Sequence, residues 1–333
     1  MSASVVLYRY DSSPHSSKIR DSLLLKKIPQ RWVTVAPILP RPELTDLLGL
    51  GHRRIPVLAI GRDIYLDTAL IASTLERRFA AGAGPGYGTL FPPRKDGGRV
   101  DKTLIKLFVK YWSDAALFRA AVALLPWKQV PAAFLKDREA LLGGPIPVDK
   151  LAAARPASLA KAAAQIALLE EQLADGREWL FDTVAPSYAD VAANFGCVWT
   201  RNLSGDEALV PDKFPGVVAW MGRFAAYCEQ LKEEMPVPSA RLTGEEAAKE
   251  IAAGAVEPES IVGFDELEAG PLGLKLGQTV SVTAEGPGNI PTSGNLVALS
   301  REEIVIEVTG QAGAFRCHFP RVDYLVVPAA AKL

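Results

Sequence analysis

The chain has 333 residues, 49% of them hydrophobic, with 37 Lys and Arg against 38 Asp and Glu, a formal net charge of −1. That length supports two or three domains with ordinary buried cores, and the charge balance, with no basic stripe or acidic tail, argues against a nucleic-acid partner. The apolar run Ser4 to Leu7 is too short and lacks the basic lead of a secretory leader, and Ala120 to Trp127 falls far below the roughly 20 residues of a membrane span. Three cysteines (Cys197, Cys228, Cys317) are too few for a disulfide framework, and with the scattered His15, His52 and His318 they form no metal-ligand spacing. A cytoplasmic, reduced, metal-free protein is expected.

Val5 to Tyr10 reads as the first strand, and Asp11 to Ser17 as a polar turn. A helix with Ile19, Leu23, Leu24 and Ile28 on one face follows, broken at Pro29-Gln30, and Arg31 to Val35 is a second strand. This β-α-β opening predicts a parallel unit with a crossover helix. After the prolines at 37, 40 and 42 a short helix is expected from about Glu43 to Leu48. Arg54 to Ile71 then reads as strand, turn at Gly61-Arg62-Asp63, strand, and a helix capped at Asp67-Thr68. Pro56 inside an apolar strand removes a ladder donor, so a special bend is expected there. A cis Ile55-Pro56 bond would turn the backbone of Val57 outward to pair with an extended peptide, and the helix start at Thr68 would hold a carboxylate.

The stretch 81–98 is rich in Gly and Pro and reads as a linker. Its glycines follow a helix and lack the spacing of a nucleotide loop. From residue 99 to 235 the periodicity is helical. Leu104, Leu107, Phe108, Tyr111, Trp112, Ala115 and Phe118 trace one face of a long helix. Further helices are read over Pro131 to Leu142, Ala157 to Ala174 and Phe214 to Leu231, with another opened by the capping-box pattern Ser187-Tyr188-Ala189-Asp190. Residues 240–333 read as a short helix capped at Thr243, then a small β-rich domain, a barrel or half-sandwich, with strands at Thr279 to Ala284, Asn295 to Leu299, Glu303 to Val308, Phe315 to Phe319 and Tyr324 to Val327. Cys317 and His318, as strand neighbours, point to opposite faces and are expected to be a packing residue and a surface residue.

The prolyl hairpin followed by Asp67-Thr68, the βαβαββα order of residues 1–80 and the Ser187-x-x-Asp190 box in an all-helical second domain resemble the glutathione transferase superfamily. The resemblance implies a thioredoxin-like α/β domain over 1–80 and a helical domain over 99–235, and it leaves the β-rich tail as an addition of the kind carried by fungal members, many near secondary-metabolite genes. It implies glutathione as co-substrate or cofactor, held by Val57, Pro56, Asp67 and Thr68, with Arg41 and Arg53 in the segment that reaches the glycine carboxylate. The activating position falls at Ser13-Pro14-His15-Ser16. There Ser13, with Ser12 as the neighbouring alternative, would donate a hydrogen bond to the glutathione sulfur and, with the helix N-terminus, favour the thiolate. His15 is a further catalytic candidate. Both sulfurs of a dithiol site are replaced by Ser13 and Ser16, which argues against thiol oxidoreductase chemistry. The reaction implied is addition of the thiolate to a small apolar electrophile, as stable conjugation or as transient addition giving cis-trans isomerisation, with the co-substrate near Phe108, Tyr111, Trp112 and Phe118. A non-catalytic glutathione-fold binding or regulatory protein is the alternative. The superfamily's habit of forming homodimers implies one here, unless the tail covers the surface used.

Overall fold

The computed structural model describes residues 4–29, 31–84, 86–235 and 240–329. The first strand, β1 (Val5–Arg9), leads into α1 (Pro14–Leu25), which begins inside the stretch read as a turn. The reason is local. Ser13 caps the helix, its Oγ accepting the Ser16 N–H at 3.3 Å, and Pro14 sits at the first helical position, where a missing N–H costs nothing. β2 (Arg31–Thr34) returns parallel to β1. α2 is shorter than read, Pro42–Thr45, and the chain turns through Gly49, whose φ of +71° ends any continuation. β3 (Val57–Ile60) and β4 (Asp63–Leu66) form the hairpin, and α3 (Thr68–Arg78) follows from the Asp67 cap, with Asp67 Oδ1 accepting the Ala69 N–H at 2.8 Å.

The long helix of the second unit has three parts. α4 (Lys102–Leu107) runs into a π-helical stretch, Phe108–Leu117, and out again as α5 (Phe118–Val122). Wide π turns cluster at functional positions, and this one sets Asp114 toward α1 of the first unit and Lys110 toward Asp323 of the tail. α6 (Ala132–Leu142) and α8 (Arg155–Leu173) match the reading, and a short α7 (Val148–Ala153) lies between them. α9 (Tyr188–Ser204) carries the full capping box: the Asp190 carboxylate accepts from Ser187 N and Oγ, each at 2.8 Å, and also from Leu180 N and Trp220 Nε1. Ser187→Ala removes one cap acceptor and is expected to lower unfolding free energy by about 1 kcal/mol, read as a lower urea midpoint at unchanged slope. α10 (Pro215–Glu234) closes the helical unit.

The tail departs most from expectation. β5 (Ala240–Leu242) pairs with β2, α11 (Gly244–Ala252) and α12 (Glu266–Ala269) follow, β6 (Thr279–Ala284), β7 (Thr292–Leu299), β8 (Glu303–Gly310) and β9 (Gly313–Pro320) form a meander, and β10 (Tyr324–Pro328) returns to pair with β6. The meander is not a free-standing barrel or half-sandwich. β9 pairs in parallel with β4, giving one ten-stranded sheet in the order β10-β6-β7-β8-β9-β4-β3-β1-β2-β5. An edge strand such as β4 presents a row of unpaired backbone groups, and this chain covers them with its own tail. The first-unit strands are therefore buried on both faces, which is why they read as unbroken apolar runs.

His318, expected at the surface, is buried at the β4/β9 seam. Its Nε2 lies 3.1 Å from Asp63 Oδ1 and its Nδ1 2.5 Å from Glu303 Oε1. Arg78 pairs with Asp63 at 2.8 Å, and Arg77 pairs with Glu303 at 3.1 Å and with Glu257 at 2.7 Å. A sheet with both faces covered leaves no solvent side for a polar residue, so the polar side chains pair with one another.

Candidate functional site

Three chain segments reach the same end of the sheet, and the cleft there is lined by the first of them and by α9. The first is the start of α1. Ser13 is buried and Ser12 exposed, and both line a cleft of about 350 Å³ shared with Pro14, Ser17, Phe195 and Trp199. Ser13 Oγ spends a lone pair on the helix cap, which leaves its O–H proton free to donate. His15 packs instead of titrating. Its ring centroid lies 4.4 Å from Phe118 and 5.4 Å from Phe195, and burial, opposed by Asp114 at 3.9 Å, pushes its pKa down to about 4. The Asp114 carboxylate is held by Lys18 Nζ at 2.7 Å to both oxygens.

The second segment is the prolyl bend. The Ile55-Pro56 bond is cis and Pro56 is buried. Val57, the residue expected to face outward, lies inside the sheet opposite Tyr8 on one side and Leu66 on the other, with no exposed surface. A main chain flanked by two strands cannot add a third. Ile55, half-buried and outside the ladder, makes no backbone hydrogen bond among the described residues, so its main-chain donor and acceptor are open.

The third segment is the start of α3. Asp67 is half-buried with φ +71°, Thr68 is buried, and the Thr68 carbonyl accepts the Tyr188 hydroxyl at 2.9 Å. The Thr68 N–H has no acceptor among the described residues, so the helix start retains an open donor. Arg41 and Arg53 do not reach this site. Arg41 Nε donates to Ala36 O at 2.7 Å and Nη2 to Pro37 O at 3.1 Å, while Nη1 holds the Arg53 carbonyl. Arg53 donates to Gly288 O at 3.0 Å and pairs with Asp137 at 3.0 Å, bracing the first unit against the tail and α6. Both guanidinium groups are buried with protein partners and are structural.

Residues 7–85 match the glutathione S-transferase N-terminal domain family, and residues 120–233 match a domain of unknown function, DUF7962. The crystal structure of a GST-like protein from Pseudomonas syringae is similar over 99% of this chain and 100% of its own, at 27% identity and a TM-score of 0.70. The first unit of the chain belongs to the glutathione S-transferase N-terminal domain family. The structure of the beta-etherase LigF from Sphingobium sp. strain SYK-6 shares the fold at 18% identity and a TM-score of 0.50, over 69% of this chain and 99% of its own. No curated protein sequence matches. The match along the full length is bacterial, so the tail of this glutathione transferase relative is a feature it shares with a bacterial protein.

The wall of the cleft differs from the one expected. Phe108 stacks on Trp112 at 4.8 Å and meets Phe181 edge-on, Tyr111 is exposed, and Phe118 stacks on Trp199 at 5.1 Å. The cleft floor comes from α9, through Phe195 and Trp199. Sequence reading missed these two. The signal was present in Asn194, Val198 and Asn202 at helical spacing beside them, which mark a second, partly polar face on α9. Among the described residues no group of three or more His, Cys, Asp or Glu could hold a metal ion, and no helix is long and apolar enough to cross a membrane. Cys197, Cys228 and Cys317 are free and buried, and burial pushes the Cys197 and Cys228 thiols up to about 12.

Proposed function

We propose that the protein is a glutathione-dependent transferase-like enzyme that adds the glutathione thiolate to a small apolar electrophile. The main chain of Ile55 pairs with the cysteinyl backbone, Asp67 and the Thr68 N–H receive the γ-glutamyl end, and Ser13 donates its hydroxyl to the sulfur. The observation that carries this reading is Ser13: an N-cap serine with a free O–H, at a helix N-terminus, lining the cleft. A free thiol has a pKa near 8.5, and a donor plus the helix dipole lower it so that the thiolate prevails at neutral pH. The cleft volume suits a small substrate, and Phe195 and Trp199 give it an aromatic floor. The adduct either persists as a thioether or, after rotation about the bond that the addition has made single, expels the thiolate and re-forms the double bond, which would be isomerisation. Ser12, exposed at the cleft rim, is the alternative donor.

The test is direct. The full chain is applied to immobilised glutathione and then assayed for thioether formation with a generic aryl halide. Retention and turnover are expected. Failure to bind glutathione overturns the reading, and retention without turnover on aryl halides or conjugated cis-alkenes leaves a binding or regulatory protein. The tail favours that second reading to the extent that it packs along residues 51–54, where a Cβ at Gly51 would run into the Pro291 carbonyl. A homodimer of this chain would have to use a surface other than the β4 edge, because β9 occupies it. Three unpaired cysteines support a reducing, cytoplasmic setting.

A further inference from the structure

The register of the β4/β9 seam has a consequence for the ligand site. Asp63 lies opposite Arg316 and Tyr65 opposite His318, so the segment after β9 emerges at the same end of the sheet as Asp67 and Thr68. The chain turns there through Asp323, with φ +66°, into β10. The Asp323 carboxylate, half exposed, pairs with Lys110 of the π-helical stretch. Burial works against the charge on Lys110, but the Asp323 hydrogen bond and the carboxylates of Asp67, Asp323 and Asp114 outweigh it and hold its pKa above the usual range. Lys110 therefore lies within the field of the α3 cap as well as bonding the tail. In the residue after Asp323, the Tyr324 hydroxyl is buried with no hydrogen-bond partner among the described residues, as is Nε2 of His52, whose ring stacks on Tyr324 at 6.0 Å. Burial raises the Tyr324 pKa, Asp67 raises it further and Arg54 opposes, which places the ring among these charges. Buried polar atoms are normally satisfied, so the Tyr324 hydroxyl next to the Asp323 turn is a donor with spare capacity.

We propose that the β9–β10 turn completes the tripeptide site, with Asp323 and Lys110 as the acid–base pair that receives the zwitterionic end of the γ-glutamyl residue and Tyr324 as an added hydroxyl beside it. This rests on the glutathione-binding reading above. A carbon bearing both an ammonium and a carboxylate can replace both halves of an ion pair at once. The ammonium takes the place of Lys110 on Asp323, and the carboxylate is met by Lys110 and the open Thr68 N–H. A ligand with one charge would leave one partner alone, which is the unfavourable outcome in a partly desolvated site. Selectivity for an α-amino acid terminus is thus a property of the tail.

The experiment compares calorimetric binding of glutathione with that of glutaryl-Cys-Gly, the same peptide lacking the α-amino group, to the full chain and to Asp323→Asn. Asparagine tolerates the positive φ of this turn. The natural chain is expected to prefer glutathione by about ten- to a hundredfold, the range for a charge-assisted hydrogen bond. Asp323→Asn is expected to keep the deaminated peptide's affinity and lose most of that preference. A natural chain that binds both peptides equally overturns this proposal and leaves the glutathione reading standing. So does an Asp323→Asn chain with the preference intact, or one that loses both peptides in equal measure. A chain that binds neither peptide overturns both readings.

Discussion

Ser13→Ala is expected to lower kcat/KM for thioether formation by about ten- to a hundredfold and to raise the pH at which bound glutathione becomes thiolate. The loss is that of one hydrogen bond to a charged acceptor, about 1.5–3 kcal/mol. The same change removes the α1 cap and lowers stability by about 1 kcal/mol, because the Ser16 N–H loses its acceptor. These two effects separate experimentally. A lost cap shifts the urea midpoint and leaves the thiol's titration alone, whereas a lost donor moves the pH profile of kcat/KM upward. Ser13→Thr keeps both the cap and the O–H, and should restore most of the activity. Since the pKa of His15 lies near 4, this ring is neutral across the working range, and the profile should report the thiol alone. If Ser13→Ala leaves the profile in place while Ser12→Ala displaces it, the donor is Ser12, and the cap serine is structural only.

His318→Ala is expected to reduce unfolding free energy by about 3–5 kcal/mol, the cost of leaving buried charges unpaired. The imidazole stands between Asp63 and Glu303, and its removal leaves two buried carboxylates short of a partner at the seam that holds the tail to the first unit. Burial disfavours charge on all three groups. The hydrogen bonds and charges of the two carboxylates nevertheless raise the His318 pKa. The His318 hydrogen bond and charge, helped by Arg78 at Asp63 and Arg77 at Glu303, keep both carboxylates below their usual range. For the imidazole, whose folded pKa is raised, the stability is fully present below the unfolded value of about 6.5 and is lost as pH climbs through the raised one. For the carboxylates, whose folded pKa is lowered, it is present above the unfolded values of about 4 and is lost as pH falls through the lowered ones. The seam is therefore strongest from weakly acidic to neutral pH and weakens at both extremes. Urea midpoints across pH 5 to 9 check this. The natural chain should lose stability on the alkaline side and His318→Ala should not, and matching alkaline slopes would remove His318 from the account.

The features readable from sequence were local. Ser13-Pro14, Asp67-Thr68, Ser187-x-x-Asp190 and Thr243-x-x-Glu246 each announce a helix start within a few residues, and each cap is formed. The hairpin, the parallel opening unit and the tail strands were legible because side-chain periods of 2 and 3.6 residues are set by the backbone alone. The offset at the prolyl bend was not legible. Whether Val57 or Ile55 has a free main chain depends on whether β1 and β4 have already taken the residue, and hydropathy says nothing of that. Nor were Arg41 and Arg53 legible as braces, since their acceptors are main-chain carbonyls, including those of Asp137 and Gly288 far along the chain.

By itself, then, the sequence determined the thioredoxin-like opening, the helical middle, the strand-rich tail and a serine at the head of α1. The tertiary structure alone decided that the tail is part of the first unit's sheet, that His318 is buried between carboxylates, and that β9 ends at the end of the sheet where α3 begins. All three result from β9 meeting β4, residues about 250 positions apart. An edge strand's unpaired N–H and C=O groups accept any strand that reaches them, so the partner is chosen by how the intervening helices fold back, and no short window of residues records that choice.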